Sequence, residues 1–302
     1  MATAALIETL EVHNQLGEAV MWDDRCRVVW WTDIEGRAVF RYCPADQRLD
    51  RWNTPQRLCS FGLVAEREQL ICAFEGGFAY FKPDSGELRW LHRIDQENGA
   101  ARLNDGRCDR QGRFWAGSMI ENAAAATSAG GLYCVDRHLS VARKMSGIAI
   151  SNSLCWSPDS ALLYHADSPN RRIDRYEFDK DTGDVSNRTT FAQAPLGGRP
   201  DGSTIDAQGY LWNAQWAPGK VVRYNPGGGI DLVLSVPASQ PTCVAFGGAL
   251  LNLLFVTSAR EGLSPEALAA EPEAGNLFVF ETDVVGIRES LFEPVLTPDL
   301  TC

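Results

Sequence analysis

What this chain of 302 residues lacks narrows the field first. No stretch approaches ~18 uninterrupted apolar residues, which excludes a membrane-spanning helix. The opening Met-Ala-Thr-Ala-Ala-Leu-Ile-Glu has neither a basic start nor a long apolar core and reads as no signal peptide. Histidine is scarce, and the four, at 13, 92, 138 and 165, show no His-x-x-x-His spacing. Only His165, after a strand in Leu-Leu-Tyr-His-Ala-Asp, is placed to approach a central channel, as a ligand or as a plain core residue. The nine cysteines are odd in number and form no Cys-x-x-Cys pair, so zinc-knuckle and redox-motif readings fail. Gly-x-Ser-x-Gly is missing, and with it any support for a serine nucleophile elbow. No glycine-rich loop follows a strand and opens a helix, which removes nucleotide binding. Positive charge is also short. Lys and Arg total 28 against 39 Asp and Glu, for a formal charge of −11. Such a surface repels phosphate backbones and anionic lipid, so nucleic acid and membranes are poor partners. A neutral substrate meets no such penalty, and an anionic product is weakly repelled.

What is present points to one large β structure. Apolar content of 45% and charged content of 22% are ordinary for a globular protein. Nine Trp and thirteen Phe suit pleated surfaces. Several cysteines sit inside apolar strands, such as Cys72 and Cys134, and read as small buried thiols in a reducing cytoplasm.

A polar turn followed by an apolar strand recurs six times, starting at residues 22, 63, 109, 156, 206 and 246. Asp109-Arg-Gln-Gly-Arg-Phe-Trp115 and Asp206-Ala-Gln-Gly-Tyr-Leu-Trp212 are its clearest copies. The intervals of 41, 46, 47, 50 and 40 residues are those of propeller blades. A second strand family interleaves with the first, at residues 38–44, 77–83, 131–136, 173–179, 221–226 and 275–280. Two families of six members each predict an all-β fold, a six-bladed β-propeller with four-stranded blades. A linear solenoid needs atypical capping repeats, and none is seen. No linker divides residues 1–302, so a single domain is expected, with a loose tail over about 295–302. The one helix-like stretch starts at Ser264-Pro265 and reads as a short surface element before the last blade strand. The Ala-rich segment 121–131 is either a lid over the channel or an inert long turn.

Glu18, Asn104, Asn152 and Asp201 stand four or five residues ahead of four copies of the phrase. Equivalent positions of a closed repeat converge on its axis. Two carboxylates and two amide oxygens there form a hard-ligand set for Ca²⁺, Mg²⁺ or Mn²⁺, and carboxylates also accept Zn²⁺. Taken singly, Asn104-Asp-Gly106 and Asp201-Gly202 are ordinary turn dipeptides. Arg102 has the fork geometry to bind a substrate oxygen, or else makes a rim salt bridge.

At these residues the chain resembles the SMP-30/gluconolactonase family of regucalcin-like lactonases, from about residue 8 to 290. The motifs are Leu16-Gly-Glu18, Asn104-Asp-Gly106, Trp115-Ala-Gly-Ser-Met119, Ser151-Asn152, Trp156-Ser-Pro-Asp159, Pro200-Asp-Gly202, Leu211-Trp212 and Thr257-Ser-Ala-Arg260. The resemblance implies a six-bladed propeller with one divalent ion (Ca, Zn, Mn, Mg or Fe) held by Glu18, Asn152 and Asp201. It implies substrate contacts from Arg102, Asn104 and Glu121, with Asp201 as general base. The implied reaction is metal-dependent hydrolysis of a small-molecule sugar lactone, such as arabinono-, xylono-, galactono- or gluconolactone, to the aldonic acid. Two alternatives stand beside it, an esterase or phosphotriesterase-type hydrolase on the same ring and a non-enzymatic Ca-binding propeller. The chain departs from the family pattern at Ala19-Val20, where Gly-Pro is usual, and at Ser153, where Gly is common.

Overall fold

The computed structural model describes residues 2–66, 68–94, 101–122 and 130–295. The first strand, Ala4–Leu10 (β1), waits for the last blade. Blade one is Gly17–Asp23 (β2), Val28–Asp33 (β3), Ala38–Cys43 (β4) and Arg48–Asn53 (β5). Blade two is Leu58–Leu63 (β6), Leu70–Phe74 (β7), Gly77–Lys82 (β8) and Glu87–Arg93 (β9). Blade three is Ala101–Cys108 (β10), Phe114–Ile120 (β11), Gly130–Val135 (β12) and Val141–Ile148 (β13). Blade four is Ser151–Trp156 (β14), Leu162–Asp167 (β15), Arg172–Phe178 (β16) and Val185–Gln193 (β17). Blade five is Arg199–Ile205 (β18), Leu211–Trp216 (β19), Lys220–Tyr224 (β20) and Ile230–Ser235 (β21). Blade six takes Pro241–Gly247 (β22), Leu253–Ser258 (β23) and Leu277–Thr282 (β24), and β1 completes it by pairing antiparallel with β24. The fold is the expected six-bladed β-propeller of four-stranded antiparallel blades. Among the described residues no helix is long and apolar enough to cross a membrane.

The repeated phrase is the hairpin joining the first two strands of each blade, and the second family supplies the third strands. In two blades an aspartate fixes that hairpin. Asp109 accepts from the Gln111 and Arg113 backbone N–H groups and from Trp115 Nε1. Asp206 does the same for Gln208, Tyr210 and Trp212 Nε1, and also pairs with Arg223. Both carboxylates are fully buried and fully partnered, as burial of a charge demands.

Apolar packing follows the blades. Among the described residues six hydrophobic clusters occur, one at each blade-to-blade interface. Each wedge is built on aromatics, for example Trp22 stacked on Phe255 where blade six meets blade one, and Trp115 against Trp156 and Phe178 between blades three and four. The cysteines behave as small apolar groups. The eight described ones are unpaired, and burial pushes the Cys72 and Cys108 thiols well up from their usual range.

The innermost strands β2, β6, β10, β14, β18 and β22 ring the axis. Each carries a register irregularity against its neighbour: Glu18/Met21, Leu58/Ser60, Leu103/Gly106, Asn152/Cys155, Pro200/Ser203 and Pro241/Val244. Bulges re-aim side chains, and four of these fall at or beside the predicted site residues. Asn104-Asp-Gly106 and Asp201-Gly202 therefore lie within strands, not in turns. Their glycines serve close approach. A Cβ on Gly106 would lie 2.5 Å from Ser60 Oγ, and one on Gly202 2.6 Å from Cys243 Sγ.

The predicted helix is Pro265–Ala270 (α1), capped by Ser264 Oγ accepting from Ala267 N at 3.2 Å. After β24 the chain crosses the opposite end of the ring as a strap. It bonds Ala207 N through the Val285 carbonyl, Leu63 O through Phe292 N, and Arg137 O through Val295 N. Phe292 is fully buried in the wedge between blades two and three. Above the strap Arg107, on β10, reaches across the channel. It donates to the carbonyls of Ser203, Val20 and Val244, on three other blades, and faces Glu289 of the strap at 3.6 Å. That end of the channel is closed.

Candidate active site

The open end holds a cavity of about 610 Å³. Glu18 from β2, Arg102 and Asn104 from β10, Asn152 from β14 and Asp201 from β18 all line it. Each lies in the N-terminal half of an inner strand, which is why a common offset in sequence becomes a common place in space. The walls between them are more apolar than the rim residues suggest, with Leu16, Met119, Ile150, Pro200 and Trp216.

The floor is strongly electronegative. Glu18, Asp105 and Asp201 are at most 9% exposed. Glu18 and Asp201 share a hydrogen bond. Burial, with the Asp105 carboxylate adding to it, pushes Glu18 up to about 8, against the opposing pull of the Ala19 N–H and Arg102. Burial, then Glu18, then Asp105 drive Asp201 well above the carboxylate range. Burial thus favours a proton on Glu18 at neutral pH, and it raises Asp105 and Asp201 in the same direction. A hard divalent ion would take the place of such protons among carboxylate and amide oxygens. Glu18, Asp201 and the Asn152 amide oxygen are a donor set that fits such an ion. Among the described residues no group of three or more His, Cys, Asp or Glu is placed to hold a metal ion, so this set rests on two carboxylates and one amide oxygen.

A hydrogen-bonded chain fixes the groups around the floor. Arg57 clamps Glu121 with two bonds, of 2.7 and 2.9 Å, and also pairs with Glu35 and Glu75. Glu121 accepts from Arg102 Nε at 3.2 Å. Arg102 Nη1 donates to Asn104 Oδ1 at 2.6 Å and to the Leu103 carbonyl. Asn104 Nδ2 donates to Asn152 Oδ1 at 2.9 Å and to the Ser151 carbonyl. Asn152 Nδ2 donates to Ser168 Oγ, which in turn donates to the Pro200 carbonyl. The chain thus runs from the rim to the residue beside Asp201.

Of the predicted residues, Glu18, Arg102, Asn104, Asn152 and Asp201 come together in one cavity. Asn104 turns its oxygen to Arg102 instead of to the axis, so it orients Arg102 and Asn152. Glu121 stands at the rim, exposed and ion-paired to Arg57 and Arg102. Arg102 combines both readings offered for it, lining the cavity while pairing with a rim acid. His165 is buried and bonded to Ser151 Oγ at 2.9 Å, outside the cavity, and burial lowers it to about 4. Residues 123–129 of the Ala-rich segment lie outside the described residues. The sequence reading missed Asp105, hidden in an Asn-Asp-Gly triplet that looks like a turn. It also missed Arg199, Ser168 and Glu261, which line the cavity without belonging to the repeat offset. Adjacency to Asn104 and to Asp201 was the available signal for Asp105 and Arg199.

Comparison with known proteins gives a consistent set. The family model for the SMP-30/Gluconolactonase/LRE-like region matches residues 16–260. The chain is 39% identical over 285 residues to the L-arabinolactonase of Azospirillum brasilense, covering 93% of each chain. It is 37% identical over 281 residues to the 6-deoxy-6-sulfogluconolactonase of Pseudomonas putida, covering 92% of this chain and 94% of that one. Among solved structures it superposes on a calcium-binding protein, regucalcin, from Agrobacterium tumefaciens. The TM-score is 0.88 and the identity 30%, over 95% of this chain and 97% of that one.

Proposed function

We propose, from the premise that this chain belongs to the SMP-30/gluconolactonase/LRE-like family and is a lactonase, that it hydrolyses a sugar lactone to the aldonic acid with the help of one divalent ion. The substrates in view are arabinono-, xylono-, galactono- and gluconolactone, and the ion is Ca²⁺, Zn²⁺, Mn²⁺, Mg²⁺ or Fe²⁺. The observation that carries the reading is the buried Glu18–Asp201 pair beside Asn152 at the floor of a cavity of lactone size. Eight unpaired thiols suit a reducing compartment, and we place the reaction in the cytoplasm.

Glu18, Asn152 and Asp201 would hold the ion. When bound, it supplies Lewis-acid polarisation of a carbonyl and acidifies coordinated water. Asp201 takes the proton of the attacking water. Water oxygen adds to the lactone carbonyl carbon, the bond from that carbon to the ring oxygen breaks, and Asp201 returns its proton to the ring oxygen, which leaves as a hydroxyl. Arg102 is held on three sides by Glu121, Leu103 O and Asn104. It is therefore a fixed positive charge facing the cavity, ready for the developing oxyanion without reorganisation. Asn104 keeps the Asn152 oxygen aimed at the floor. Glu121 and Arg102 offer polar contacts to sugar hydroxyls.

The test is acid release from a panel of pentono- and hexonolactones, using chelator-stripped protein to which each of the five ions is returned. Metal-dependent hydrolysis of one lactone supports the reading and names substrate and ion together. Folded, metal-loaded protein that releases no acid from any lactone, yet cleaves aryl esters or phosphotriesters, would overturn it.

A further inference from the structure

We propose that Arg199 and Trp216, on blade five, form a distal subsite that holds the exocyclic end of the lactone through that end's acceptor oxygens. The inference rests on the lactonase reading above and adds the part of the substrate that decides choice.

Most side-chain donors around the cavity are already engaged. On blade three Asn104 is engaged with Ser151 O and Asn152, and Arg102 spends Nε and Nη1 on Glu121, Leu103 O and Asn104, which leaves its remaining donors for the carbonyl end at the floor. On blade four both Asn152 and Ser168 are engaged. Leu16, Met119, Ile150 and Pro200 offer no side-chain donor, and Glu261 when ionised only accepts. Arg199 differs. It lines the same cavity, is exposed, and has no hydrogen-bond or ion-pair partner among the described residues. A guanidinium carries five N–H donors in a fixed fork. Here they face the cavity from the residue two before Asp201.

Trp216 completes the wall. Arg199 and Trp216 are direct register partners across β18 and β19, so their side chains stand on one face of the sheet. Trp216 packs against the apolar cluster that contains Leu16 and Ala259. Its indole N–H also has no partner among the described residues. An apolar ring beside a free cation suits a sugar, whose C–H groups lie on the indole while its oxygens meet the guanidinium. With the carbonyl at the Glu18–Asp201 floor, the carbon chain beyond the ring oxygen is what remains to be held. That end carries acceptor oxygens whether it is a hydroxymethyl group or an anion, and Arg199 binds either chemistry.

Three hydroxylated 1,4-lactones separate the cases: a four-carbon lactone with no exocyclic carbon, a pentonolactone with a hydroxymethyl group, and a pentarolactone with a carboxylate in its place. Steady-state kcat/KM is measured with metal-loaded wild type, Arg199→Met, Arg199→Lys and Trp216→Leu, each checked for folding by circular dichroism. Wild type should prefer a substituted lactone over the four-carbon one by roughly 10-fold or more, the value of a charge-assisted hydrogen bond. Arg199→Met should bring that ratio close to one, with Arg199→Lys between. A larger ratio for the carboxylate identifies an anionic end, and a larger ratio for the hydroxymethyl group a neutral one. A wild-type ratio near one, or an Arg199→Met loss equal on all three lactones, overturns the subsite alone. Absence of turnover on every lactone removes the lactonase reading and the subsite with it.

Discussion

The two duties proposed for Asp201, holding the ion and taking a proton, are ones that a single substitution separates from shape. Asn is nearly isosteric and retains an oxygen, but it neither neutralises an ion nor accepts a proton from water. Asp201→Asn should lower kcat by roughly 10³-fold, within the range for a lost general base. A variant with wild-type kcat after metal loading would remove the base assignment. His165 tests a different physics. Its ordinary value of 6.5 falls to about 4 in the fold because burial disfavours the imidazolium. Above 6.5 both folded and unfolded chains hold it neutral, and its contribution is intact. Between 6.5 and about 4 the unfolded chain takes a proton that the folded chain refuses, so stability is lost as pH falls. The loss reaches on the order of 3 kcal/mol. Urea unfolding of wild type and His165→Gln should show their stability difference narrowing from pH 7 to pH 4.5. A difference constant with pH would place the imidazole elsewhere than in its buried neutral form. At this scale the sequence was a good guide to charged groups on the repeat offset and a poor one off it. Glu18, Asn152 and Asp201 were visible because repetition marks a position. Asp105 and Arg199 were not, since neither type nor spacing sets them apart until neighbouring strands close around them.

The inner strand is the element on which the site depends, and its bulge is what a periodic pattern cannot reveal. Alternation predicts which face a side chain takes in a regular ladder, whereas each inner strand here breaks register beside the residue that matters. Two bulges use left-handed backbone at a residue with a side chain, Ala19 at φ 52° and Ser153 at φ 62°. These are the positions where the chain departs from the family's glycines, so the backbone conformation is kept at a cost in strain. Ser153 gains a hydrogen bond to Ser203 Oγ at 2.6 Å in return. Ala19 has no such side-chain bond. Ala19→Gly should therefore raise stability by about 0.5–1 kcal/mol, the left-handed penalty less the extra unfolded-state entropy of glycine. Chemical denaturation at fixed metal checks it, and a destabilised variant would show that the strain lies elsewhere. The hairpins and third strands, by contrast, were legible in advance, since each is a local unit of turn and alternating apolar residues. The strap was not. Its residues make scattered single contacts to several blades and follow no period.

Closure is a property of the whole ring. The six wedges all resemble one another in composition, yet only the sixth blade is built from both ends of the chain, through β1 and β24. That pairing was beyond reach of the repeat, because β1 precedes the first copy of the phrase and carries none of it. Removing residues 2–10 should leave β24 as an exposed edge and strip cover from the wedge between blades six and one. The expected outcome is an earlier unfolding transition together with concentration-dependent association, seen by scanning calorimetry and light scattering. A truncated chain that unfolds at the wild-type temperature as a monomer would show that the wedges alone hold the ring.

The channel is barred at one end by Arg107 and the strap. A tunnel lets the product leave ahead while the next molecule enters behind, but this well has a single door. Departing acid and arriving lactone contend for the same passage. The guanidinium groups of Arg102 and Arg199 attract the acid, while the remainder of a surface of charge −11 repels it. Accumulated acid should then compete with the lactone alone, and initial rates measured with added product should fall through a rise in KM at unchanged kcat.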